Sequence, residues 1–290
     1  MLTEANAKLE KLVKRLFEMS VQDRGNPYQT FEWPPSLPEG MWMSPELLTV
    51  HGTDVELAPD ACARLSRWES IHFYSLNVHG IRELLAEVVS RIHQPGYSLA
   101  SPFFHHFIGE ENEHMWYFAE FCLRYGGKLY PNVAMKSPGT FQGEVADLLV
   151  FVKIQAFEEI VDYFNTTMAN DQGLHPFIRE INRLHHRDES RHIAFGRQIV
   201  LSLFEQIKQT ATEATLAAID DYLRRYLIIS IQSLYNPQVY RDAELPGNPF
   251  ELRRRLLNHE GRRTAHDQIL KRPVKFLLEN EIIRGPVVVS

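Results

Sequence analysis

Cysteine is almost missing from this chain: Cys62 and Cys122 stand alone, with no Cys-x-x-Cys pair. That argues against a disulfide framework, a zinc ribbon and a thiolate-held iron–sulfur cluster, and it fits a reducing cytoplasm. Basic charge is in deficit, with 31 Lys and Arg against 37 Asp and Glu. There is accordingly no electrostatic reason to bind nucleic acid or an anionic membrane, and the Arg253–Arg255 run reads as a solvated helix face. No stretch approaches the roughly 18 consecutive apolar residues of a membrane span. The amino terminus interrupts Leu9, Leu12, Val13, Leu16 and Phe17 with Lys and Glu, which predicts an amphipathic helix docked on the body rather than a signal peptide. No Gly-x-Gly-x-x-Gly occurs, so no flavin or nicotinamide site is expected. Strand alternation is nearly absent apart from the VVVS tail.

What remains is helical. With 290 residues, 44% of them hydrophobic, the chain can bury a substantial core. Residues 1–59 hold the amphipathic helix and, from Asn26, a proline- and aromatic-rich arm expected to wrap the core through Phe31, Trp33, Met41 and Trp42. From residue 60 the apolar residues recur at three and four spacing. The pattern predicts helices over about 60–92, 101–125, 143–169, 175–208 and 213–234, with short helices starting at Asn248-Pro249 and Arg272-Pro273. Ser101 reads as an N-cap before Pro102. The expected architecture is one all-α domain: a four-helix core over 60–208, with extra helices at the amino terminus and over 209–290.

The stretch RLHHRDESRH concentrates titratable groups. On a helix, His185, Glu189 and His192 fall in one row. A hydrogen-bonded histidine cluster would explain this as well as a metal site, so the rest of the chain has to decide. Glu111 and His114 form a second Glu-x-x-His pair, on another long helix, matching Glu189 and His192. Two such pairs plus one glutamate from each remaining helix make a carboxylate-bridged dimetal site in a four-helix bundle. The third helix offers Glu158 in an apolar stretch, with Glu159 expected to face solvent. The first offers Glu83, level with Glu111 in an antiparallel pair, with His79 as a rival. Oxygen-rich ligands with imidazole and no thiolate suit iron or manganese better than structural zinc. Asp188 is placed to hydrogen-bond a ligand imidazole from outside; pairing with Arg187 or Arg191 would equally explain it.

GLHPFIREINRLHHRDESRHIAFG, GEENEHMWYF and QAFEEIVDYF together resemble the p-aminobenzoate N-oxygenase (AurF-like) family of ferritin-like non-haem di-iron proteins. The resemblance implies a third histidine ligand four residues before the glutamate of the last motif, the position of His185. It implies Glu158 rather than Glu159, and two irons that activate O2 and oxidise an amine nitrogen to hydroxylamine, nitroso or nitro, as in secondary metabolite biosynthesis. The amine could be an arylamine or an amino-acid-type amine, free or tethered to a carrier protein. Electrons would come from an external reductase or redox protein, and the resemblance implies a homodimer. The competing expectations are a di-iron oxidase acting on carbon (hydroxylase, desaturase or decarboxylase) and a ferritin-like iron oxidation or storage protein.

Overall fold

The computed structural model describes residues 7–22, 31–132 and 141–289. Asn26–Thr30 of the expected arm and Ser290 of the tail lie outside the described residues. The apolar spacing read from the sequence becomes α1 (Ala7–Gln22), α2 (Pro59–Val89), α3 (Ser101–Phe121), α4 (Gly143–Asn170), α5 (Pro176–Thr210), α6 (Glu213–Ser233), α7 (Pro237–Asp242), α8 (Pro249–Leu257) and α9 (Glu260–Glu279). One π-helical turn, Cys122–Gly126, extends α3. No strand occurs among the described residues, and Val287 and Val289 of the tail are buried in the core instead. The fold is all-α and ferritin-like.

Local chemistry sets the helix ends. His175 caps α5 by accepting from Phe177 N through Nδ1, Thr212 caps α6 through Thr215 N, and Asn248 caps α8 through Phe250 N and Glu251 N. Ser101 departs from expectation: it is the first helical residue, and its hydroxyl binds Tyr97 O and His93 N in the preceding turn. Pro273 also departs, since it sits buried inside α9 rather than opening a new helix. Its ring removes one i→i−4 donor, and burial against the core compensates.

The four long helices pack as two antiparallel pairs. α2 meets α3 where Tyr74 stacks on Phe118 and Ser75 Oγ approaches Cys122 Sγ. α4 meets α5 where Asn165 binds His185 and Glu159 binds Arg197. The pairs close on each other through Phe73 on Phe164 and Phe103 on Phe195. α1 docks through buried Leu9, Val13 and Leu16. The arm lays Phe31 against Tyr117 and Phe177, and Trp42 against Phe121, so it covers one end of the α3–α5 seam.

The carboxy-terminal helices lie over α4 and α2. A buried polar knot ties them to the arm. Arg262 of α9 donates to the carbonyls of Leu48 and His51 and to Tyr235 Oη, while Glu69 of α2 accepts from Thr49 N and Oγ1. Among the described residues no helix is long and apolar enough to cross a membrane.

Candidate metal centre

Burial on α3 and α5 follows the inward row of each helix, and on both helices that row contains charge. Glu111 and His114 on α3, and Glu189 and His192 on α5, are all buried, with donor atoms lying within 4.8 Å of one another. His192 Nδ1 lies 2.9 Å from Glu111 Oε1, 3.4 Å from Glu189 Oε2 and 3.9 Å from Glu158 Oε2 of α4. His114 Nδ1 lies 3.3 Å from Glu111 Oε1 and 3.5 Å from Glu189 Oε1. His185, one turn before Glu189, brings Nε2 to 2.8 Å from Glu189 Oε1, and its ring packs 4.4 Å from that of His114. Asn165 holds its other nitrogen. The structure thus gathers Glu111, His114, Glu158, His185, Glu189 and His192.

The donor chemistry fits metal. Burying a carboxylate without a hydrogen bond or a cation is expensive. Yet Glu158 Oε1 is buried without a hydrogen-bond partner among the described residues, and the oxygens of Glu189 meet only imidazole nitrogens, at 2.8–3.5 Å. A bound divalent cation would satisfy them. Without one, protons carry the charge balance. Burial alone would lower the His114 imidazole, but the Glu111 charge and the bond to Asp188 outweigh it and hold it up to about 10. His192 is raised likewise, with Glu189 as the largest opposing charge. Burial and the neighbouring His114 charge push His185 well below the ordinary imidazole value, leaving a neutral donor. Burial and the Glu111 charge raise Glu189. Metal loading would therefore expel protons from His114 and His192.

Both of these imidazoles turn Nδ1 inward and Nε2 outward. Nε2 of His114 meets Asp188 Oδ2 at 3.3 Å, and Nε2 of His192 meets Glu110 Oε2 at 2.8 Å. Arg191 donates Nη2 to Glu110 Oε1 and to Asp188 Oδ1, each at 2.8 Å. Asp188 thus does both things weighed for it: it holds an imidazole and pairs with Arg191 and Arg187. Glu110 and the clamping role of Arg191 are the residues that sequence reasoning missed. The only signal was the i,i+3 spacing of Asp188 and Arg191; nothing marked Glu110, which shares no row with Glu111 on α3. Aromatic edges wall the cluster, with Phe107 packed 4.6 Å from His192 and Phe118 4.8 Å from His185.

Two expected positions are corrected. Glu83 is exposed and accepts from Asn132 Nδ2 at 2.7 Å, away from the cluster. By the Tyr74–Phe118 register its level along α2 falls about 3 Å beyond that of Glu111, and its face points elsewhere: the buried row of α2 runs through Tyr74, Asn77, Ile81, Leu84 and Val88. Glu83 is two residues beyond Ile81, about 200° around the helix. The rival His79 is also elsewhere, 2.7 Å from Tyr130 O. Glu159, expected in solvent, is fully buried and paired with Arg197 and Gln155, because α9 covers that face.

Comparison with curated proteins finds no match for the chain. The family model described as P-aminobenzoate N-oxygenase AurF matches residues 6–279, nearly the whole sequence, and the chain belongs to that family.

Proposed function

We propose that the chain is a di-iron N-oxygenase, a cytoplasmic O2-dependent monooxygenase that oxidises the nitrogen of an amine to hydroxylamine, nitroso or nitro. The observation that carries this reading is the convergence of three carboxylates and three imidazoles from α3, α4 and α5 in one buried cluster, in which, among the described residues, Glu158 Oε1 has no partner and Glu189 has only imidazole neighbours. Glu111, His114, Glu158, His185, Glu189 and His192 would hold two irons, which when loaded and reduced supply the electrons for O2 activation. Glu111 and Glu189 each lie near both His114 and His192. Asp188 and Glu110 fix which nitrogen each imidazole presents, and Arg191 fixes the two carboxylates. Phe107, Phe118 and Tyr117 exclude water from the imidazoles.

The unit works as one domain, with the arm and carboxy-terminal helices closing over the four-helix core. Its partners are a small amine, free or carrier-tethered, an external reductase or redox protein, and a second copy of the chain. The test is anaerobic loading with ferrous iron, metal analysis, then O2 with an amine panel headed by p-aminobenzoate. Two irons per chain and an N-oxygenated product are expected. Oxidation at carbon only would reassign the chain to the hydroxylases and desaturases, and ferric mineral without product would make it an iron-oxidising protein.

A further inference from the structure

The helix α2 contributes no carboxylate to the cluster. A dimetal centre in a four-helix bundle takes a Glu-x-x-His pair from each of two helices and a glutamate from each of the others. Here α3 and α5 supply the pairs and α4 supplies Glu158, so α2 is the helix that owes the last glutamate. Two packing registers locate where it would stand. Tyr74 stacks on Phe118 of the antiparallel α3 at 4.9 Å. Two turns along each helix, about seven residues, bring Ile81 level with Glu111. Phe73 stacks on Phe164 of α4 at 4.7 Å. The same two turns bring Gly80 against Phe157, so its neighbour Ile81 lies within about 3 Å of the level of Glu158. Ile81 is 0% exposed and Leu84, one turn on, 4%. The other carboxylates in the middle of α2 are engaged elsewhere: Glu69 with Thr49, Glu83 with Asn132 and Glu87 with Arg91.

Charge gives this gap a chemical consequence. Two divalent cations carry four positive charges, and Glu111, Glu158 and Glu189 return three. The groups just outside balance among themselves, Glu110 and Asp188 against Arg191 and Arg187. One positive charge in a buried site is left without a partner, which is costly, and a ligating anion removes it. Resting on the two-iron reading above, we infer that the last carboxylate of the centre comes from outside the chain. It is a small monocarboxylate, free in solution or carried by the substrate, bound at the position that Ile81 leaves without a ligand. Ile81 and Leu84 offer it no hydrogen bond, so the metal is its anchor.

The test is calorimetric loading of the full chain with Co(II) without O2, in chloride buffer and with acetate replacing chloride at equal ionic strength. The ligand-field spectrum of the same samples reports coordination independently of turnover. The expected result is two Co(II) per chain in acetate, the second bound about tenfold or more tighter than in chloride. Ile81→Glu should bind both tightly in chloride, and the uncharged Ile81→Gln should behave as wild type; the wild-type comparison decides alone if neither variant folds. Arms with p-aminobenzoate and aniline separate the sources. Tightening by p-aminobenzoate and not by acetate or aniline assigns the carboxylate to the substrate, whereas equal tightening by acetate assigns it to any small carboxylate. Two Co(II) of equal affinity in every buffer overturn the inference and leave the two-metal reading standing. One Co(II) or none throughout, Ile81→Glu included, overturns both.

Discussion

Replacing Arg191 by glutamine tests how the outer carboxylates act on the metal site. The Arg191 side chain is 6% exposed, and one nitrogen bonds two carboxylates, Glu110 and Asp188, themselves 15% and 13% exposed. Removing one partner of a buried pair costs about 3–5 kcal/mol when nothing replaces it. Asp188 keeps Arg187 at 3.2 Å and both carboxylates reach some water, so the expected loss of apoprotein stability is nearer about 2 kcal/mol. The effect on metal is separable. Without the clamp, Asp188 and Glu110 no longer fix the outward nitrogens of His114 and His192, and partners of this kind are worth about 10–100-fold in metal affinity. Urea denaturation of the apoprotein measures the first effect and Co(II) calorimetry the second. Arg191→Lys, which restores charge without the planar fork, should fall between. A folded Arg191→Gln chain that binds Co(II) as tightly as wild type would refute the positioning role.

Two further outcomes are expected. Burial, against the Thr49 hydrogen bonds, raises Glu69 from an ordinary carboxyl's 4.5 to about 7. The folded chain then holds this proton more tightly than the unfolded one, so stability falls as pH rises from about 4.5 to 7 and stays low above. The full effect is about 3 kcal/mol, and Glu69→Gln should remove it from denaturation curves at pH 5 and 8; equal pH slopes in the two proteins would count against it. Gly80→Ala would drive a methyl into the Phe157 ring. Overpacking of about 1–3 kcal/mol against a helix-propensity gain of about 1 leaves a net loss, and a more stable variant would show that the helices part freely there.

How far the sequence could be read depended on which geometric quantity each residue needed. The i,i+3 and i,i+4 spacings within α3 and α5 fix relative angle without knowledge of the rest, so Glu111, His114, His185, Glu189 and His192 could be placed on common rows from spacing alone. Glu83 needed two quantities. Its level along α2 follows from the rise per residue, but its face follows from absolute rotation, and at 100° per residue a choice two positions off points away from the core. The burial of Glu159 and the continuation of α9 through Pro273 depend on one helix covering another, which no local pattern encodes. Glu110 was hidden for a related reason: its partners, Arg191 and His192, come from another helix.

Arg262 also orders events in time. This fully buried guanidinium donates to backbone carbonyls at Leu48 and His51, more than two hundred residues earlier in the chain. Those contacts cannot form until α9 exists, and long-range contacts of this kind close late and slowly. A chain growing from the ribosome can assemble α2–α5, and with them the metal ligands, while residues 42–51 still wait for their lock. The candidate ligand cluster would therefore be assembled before this end of the chain is locked in place.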